Sequence, residues 1–172
     1  MTTSTTLGIG SLLLLMAAAL TGRAGPAGEE RSSFLGEVHG ATTATPRGDA
    51  RFGTVAALDG RPGTFSLSLG ARGEDGAVLF SRASGARLSI GTYPISDRED
   101  GDDDVRALVV TGPPTRPTGV FQAGSGELVI TAVSDSTIRG FFRLQATGFL
   151  ATEPAREDRT ISAAGTFSAT TR

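Results

Sequence analysis

The stretch Ile138-Arg139-Gly140-Phe141-Phe142-Arg143-Leu144-Gln145-Ala146 decides the fold. Its apolar or small residues Ile138, Gly140, Phe142, Leu144 and Ala146 fall on every second position, with Arg139, Arg143 and Gln145 between them. A period of two belongs to a strand with one face on a core and the other in water. Phe141 has the outward parity, so it lies either under a second layer or in a contact surface. The same types recur at the same spacing near the end of the chain, in Ile161, Ala163, Gly165, Phe167 and Ala169. Upstream, residues 127–134 carry Leu128, Ile130 and Ala132 on one parity and Val129, Thr131 and Val133 on the other, which predicts a strand covered on both faces. Ser134, Asp135 and Ser136 supply a tight turn into the decisive stretch. The strand at 159–169 is expected to pair with this hairpin.

Working outward, residues 34–41 and 51–58 are weakly patterned strands separated by 42–49, which has the Thr, Pro and Gly content of a loop. In 64–71 the residues Phe65, Leu67 and Leu69 alternate with Ser66 and Ser68, predicting one apolar and one wet face. Ala77 to Phe80 is continuously apolar and suits a sheet centre. In 87–95 the alternation slips by one residue near Gly91, as at a bulge or bend. Residues 105–111 are rich in Val and Leu, 112–118 contain Pro113, Pro114 and Pro117, and 120–123 is a short strand candidate. Residues 147–158 read as a charged loop. Ten candidates without sustained helical period predict an all-β domain, a single antiparallel sandwich or barrel of eight to ten short strands. Ile138, Phe142, Leu144, Ile161 and Phe167 are its expected shared core. The trio glycine, any residue, aromatic occurs at 63–65, 91–93, 140–142 and 165–167, and suggests a ring lying over the space a missing side chain leaves.

Ahead of this domain, Leu7 to Leu20 is an apolar run too short to span a bilayer comfortably, followed by small residues at Gly22 and Ala24. Residues 1–24 are therefore expected to form a signal helix cleaved after Ala24, 25–33 a polar linker, and 34–172 one β domain. Met1 to Thr6 contains no Lys or Arg, so an uncleaved anchor is the alternative. The expected location is periplasmic or extracellular.

Composition removes whole classes of chemistry. All sixteen basic residues are Arg, and the chain has no Cys, Lys or Asn, so disulfides, Schiff bases, phosphate-loop lysines and N-glycosylation are excluded. With residues 1–24 removed, fifteen Arg face eighteen acids, a mildly acidic balance that argues against nucleic acid. A single histidine, His39 beside Glu37, excludes a histidine-built metal site, and Gly124-Ser125-Gly126 lacks the spacing of a nucleophile elbow. His39 reads as an ordinary surface strand residue. The one concentration of ionisable groups is residues 97–104, where Asp97, Glu99, Asp100, Asp102, Asp103 and Asp104 are candidate Ca²⁺ ligands around Gly101. The EF-hand pattern fails, because Ser96 and Arg98 would occupy its first and third positions, and a solvated loop is the favoured reading.

Gly91-Thr92-Tyr93, Ser125-Gly126-Glu127-Leu128-Val129-Ile130-Thr131, Ile138-Arg139-Gly140-Phe141-Phe142 and the terminal Gly165-Thr166-Phe167 together resemble small exported bacterial β-domains of unknown function, many of them lipoproteins. The resemblance covers about residues 88–170 and brings no catalytic residues. The chain departs from it by lacking a lipidation cysteine. The expected role is a non-catalytic envelope structural module, or one that binds an envelope or extracellular ligand. The alternatives are a carboxylate-based secreted hydrolase using Glu127 or Asp135, and a calcium-binding adhesion-like domain.

Overall fold

The computed structural model describes residues 32–57, 62–97, 104–153 and 158–171, which contain ten β-strands and no helix. In chain order these are β1 (Ser33–Gly40), β2 (Arg47–Gly48), β3 (Ala50–Val55), β4 (Thr64–Leu69), β5 (Gly76–Arg82), β6 (Gly91–Ser96), β7 (Arg106–Thr111), β8 (Gly119–Val133), β9 (Thr137–Leu150) and β10 (Arg159–Thr171). The apolar run 7–20, the cleavage position and residues 25–31 of the linker lie outside the described residues.

Of the two expected architectures, the chain adopts the barrel. Strands β3, β4, β5, β7, β8, β9 and β10 pair in that order, and β10 returns to β3. A ring with an odd number of strands cannot alternate direction at every junction, so one junction must be parallel. It is the β10–β3 seam, where Thr170 and Thr171 meet Arg51 and Phe52. The other six junctions are antiparallel.

Three strands are long rather than short: β8 has 15 residues, β9 has 14 and β10 has 13. Residues 120–123 are the first part of β8, not a separate strand, and β9 runs on to Leu150 through part of the expected loop 147–158. A register shift lies between Ala123 and Ser125, at Gly124. Before it, β8 pairs with β7 through residues 119–122, and after it with β6 through 125–130. A bulge bends a strand and tightens its twist, and here it marks the change of partner. β10 is divided in the same way, with residues 161–168 on β1 and only its last two on β3. The free edge of β1 is covered by residues expected to be a loop, through β2 and through bonds from Gly36 N to Pro46 O and from Val38 N to Ala44 O, both 2.8 Å. Covering an exposed edge this way removes a template for adventitious pairing.

All five expected core residues are buried. The Phe142 ring, with 2% of its residue exposed, lies 5.2 Å edge-on from Phe80 and 6.2 Å from Phe34. Gly140 is registered opposite Phe167, and Gly165 opposite Phe142. A Cβ at Gly140 would collide with the Val129 carbonyl oxygen and lie 3.0 Å from the Phe167 ring, and one at Gly165 would lie 3.0 Å from the Phe142 ring. Each strand thus supplies the space for the other's aromatic ring. Of the four expected trios only these two use the device, since Gly63 packs on the backbone of Val55 and Gly85, and Gly91 faces open space; Gly119 beneath the Phe121 ring and Gly36 beneath Phe34 use it as well.

Four local expectations are corrected. β8 buries only the Leu128 and Ile130 side, with Val129 half-buried and Thr131 and Val133 exposed, because it is one wall of a barrel with water outside. Leu79 points outward for the same reason, so 77–80 is not buried throughout. Ser68 is buried although it belongs to the outward parity of β4. The slip in 87–95 arises because the strand begins only at Gly91. The preceding residues are held by Tyr93, whose hydroxyl accepts from Ser89 N–H and donates to Ser89 C=O, both at 2.9 Å. Arg87 in this segment donates to the carbonyls of Ser134, Asp135 and Thr137 and stands 4.7 Å above the Phe52 ring, tying the approach to β6 to the β8–β9 turn.

Candidate functional site

The pairing of β1, β10, β9 and β8 sets their outward side chains in ranks that run across the outer wall. One rank is Leu35, Thr166, Phe141 and Val129, the next Glu37, Ala164, Arg143 and Glu127, and the third His39, Ser162, Gln145 and Ser125. Successive ranks are two residues apart along each strand, about 7 Å. The β10 members are small in every rank, whereas those of β1 and β9 are long. The result is a furrow floored by β10, whose two walls stand two strand spacings apart, about 10 Å. It comprises two depressions of about 430 and 450 Å³ that share Glu37, Arg143 and Ala164.

The furrow changes character along its length. Leu35 is 58% and Phe141 40% exposed, so its first rank is apolar and open to water. Phe141 is therefore a surface residue, the second of the two possibilities its parity allowed. In the middle rank Arg143 Nε donates to Glu127 Oε1 at 2.8 Å, which draws the guanidinium toward β8 and off the floor. Its side chain is 75% exposed and that of Glu127 28%. Glu37 faces the opening from the other wall, with His39 Nε2 3.5 Å from its Oε2. Two carboxylates thus accompany one guanidinium, and the middle rank carries a net negative charge. One step beyond the apolar rank, Arg139 stands across from Ser168.

Of the six candidate calcium ligands, Asp97 is exposed and Asp104 half-buried, while Glu99, Asp100, Asp102 and Asp103 lie outside the described residues. Among the described residues no group of three or more His, Cys, Asp or Glu stands close enough to hold a metal ion. Asp97 borders a further depression, of about 590 Å³, on the outer face of β4, β5, β7 and β8 together with Arg106 and Gln122. Glu127 is engaged by Arg143 in the middle of β8, and Asp135 lies in the turn at the end of that strand.

Comparison with protein-family models, with curated proteins and with solved structures gives no match. The resemblance over residues 88–170 thus rests on its motifs alone, and the furrow is read from its own chemistry. Its members Glu37, His39 and Phe141 are conspicuous in the sequence one by one. Leu35, Ser162, Ala164 and Thr166 are not, and their one signal is the smallness of the outward residues of β10.

Proposed function

We propose that this chain is an exported, non-catalytic binding module that meets its partner on the outer wall of the barrel. The observation that carries this reading is the contrast between inside and outside. The interior is filled by Phe65, Phe80, Phe121 and Phe142, each at most 2% exposed, whereas the outer wall bears a furrow with an exposed Phe141 and Leu35. An eight-strand barrel is just wide enough for side chains to fill or for one small ligand, and a seven-strand ring filled by aromatic side chains has its chemistry on the surface. Export is supported by the apolar run 7–20 with small residues at 22 and 24. Cleavage after Ala24 would leave Gly25 as the N-terminus.

The test is a pull-down from an envelope extract beside a hydrolase substrate panel, with N-terminal sequencing of the protein from its own host. The expected result is a specific retained partner, no turnover and a Gly25 terminus. Turnover that disappears when Glu127 is replaced by Gln would overturn the non-catalytic reading, and intact Met1 on soluble cytoplasmic protein would overturn export.

A further inference from the structure

The ranks of the furrow match the repeat of an extended peptide. Side chains on one face of a strand recur every second residue, about 7 Å apart, which is also the step from the Leu35–Phe141 rank to the Glu37–Arg143 rank. The floor is Thr166, Ala164 and Ser162, with Gly165 beneath the apolar end, so a backbone can lie close over β10 between the two walls. Three ranks accept about five residues of extended chain.

Charge selects among such peptides. At the apolar end a buried side chain of the ligand would cover Leu35 and Phe141, which water now touches. In the next rank Arg143 is already answered by Glu127, while Glu37 on the opposite wall has only the His39 ring, 3.5 Å away, beside it. The carboxylates of the middle rank outnumber its guanidinium, so a ligand cation is favoured on the Glu37 side of the apolar rank.

We propose that the furrow takes an extended segment of a partner protein that carries an apolar side chain and, two residues away, an arginine or lysine. The inference rests on the reading of the outer wall as a binding surface and assigns the class of ligand. The apolar residue sits between Leu35 and Phe141, and the cation meets the Glu37 carboxylate. The order along the peptide depends only on the direction in which it lies, so apolar-x-basic and basic-x-apolar segments both qualify.

The experiment is an amide NMR titration of the intact chain with the capped peptide Thr-Ser-Leu-Thr-Arg-Ser-Thr, its reversed sequence, and versions with Glu in place of Arg. Saturable shifts are expected at the amides of Leu35, Phe141, Ala164 and Thr166, with affinity at least about tenfold weaker for the Glu peptides. Glu37→Arg should invert that preference, and Phe141→Ser should abolish the shifts while both variants remain folded, by circular dichroism, at the temperature of the titration. The proposal is overturned if no saturable shift occurs, if Arg and Glu peptides bind alike, or if Glu37→Arg leaves the preference unchanged. It is also overturned if the same amides shift with protein concentration alone, which would assign the furrow to a second copy of the chain. An envelope partner that Phe141→Ser still retains would sink the furrow but leave the binding-module reading standing, whereas turnover in the substrate panel would sink that reading itself.

Discussion

Phe141, Phe142 and Arg143 are consecutive, yet the barrel gives them unlike weights, and replacing each with alanine tests the register directly. Phe142 is 2% exposed and its ring touches those of Phe34 and Phe80. Truncating a buried Phe costs about 3 to 5 kcal/mol, because the transfer energy of the ring is lost and a cavity remains. The surrounding wall is a closed ring of paired strands, which resists collapse into that cavity. Two ring contacts of about 0.5 to 1.5 kcal/mol each disappear as well, and they overlap with the burial energy. We expect about 4 kcal/mol, which at a urea slope near 2 kcal/mol per molar lowers the unfolding midpoint by about 2 M. Arg143→Ala removes a largely exposed side chain and one surface ion pair with Glu127, for less than about 1 kcal/mol. Phe141→Ala exposes part of the β10 floor and costs about 1 kcal/mol. Urea unfolding of the three variants, followed by circular dichroism, measures all of these. The register is wrong if Phe142→Ala costs less than about 1 kcal/mol, or if Arg143→Ala costs as much as Phe142→Ala.

Three further outcomes follow from single contacts. Gly140→Ala drives a Cβ into the Val129 carbonyl and toward the Phe167 ring, and should destabilise by about 2 to 3 kcal/mol in the same urea assay, although it adds only a methyl group. Arg87→Ala removes donors from three turn carbonyls and the stack on Phe52; we expect a loss of about 2 kcal/mol, read as a lower melting temperature, with only partial recovery in Arg87→Lys because an ammonium cannot reproduce the planar fork. Ending the chain at Ala169 deletes both residue pairs of the parallel seam and the bond from Thr171 N to Ser136 O, and should cost about 2 kcal/mol while hydrogen exchange quickens first along β3.

The strands were legible where the physics is local. The period of two in 138–146 and 161–169 reports directly which side chains face inward, and every one of those positions is placed as its parity demands, apart from the half-exposed backbone of Gly165. Closure was not legible, because it depends on which edges meet. The seam joins Thr170 to Arg51 through two residue pairs that no local pattern announces. The composition Gly124-Ser125-Gly126 reads as a break between strands, whereas in the barrel it lets one strand bend and exchange β7 for β6. The furrow suffered from the same limit: Glu37 and His39 are noticeable on β1 and Phe141 on β9, but their facing each other across β10 is a fact of register between distant segments. The acidic run drew attention by composition, and its four central carboxylates lie outside the described residues.

Between Ile161 and Phe167, β10 is small-featured on both faces, and this links the packing of the barrel to its surface. Inward, Gly165 leaves room for the Phe142 ring and the small Ala163 is buried opposite Leu144; outward, Ser162, Ala164 and Thr166 leave the floor of the furrow low between Leu35 and Phe141. Neighbouring positions should therefore separate stability from binding. Ala163 is buried, so Ala163→Leu must overpack the interior and should cost about 1 to 3 kcal/mol. Ala164 faces outward in the middle rank, so Ala164→Leu should change stability by no more than about 0.5 kcal/mol. The added side chain would instead stand on the furrow floor between Glu37 and Arg143, where the peptide backbone has to lie. Melting curves and the peptide titration, run on the same two variants, should give opposite results: Ala163→Leu unstable but still binding below its melting point, Ala164→Leu stable and silent in the titration. If Ala164→Leu binds the Leu-x-Arg peptide as the parent does, the backbone does not run over β10, and the site must be sought elsewhere on the outer wall.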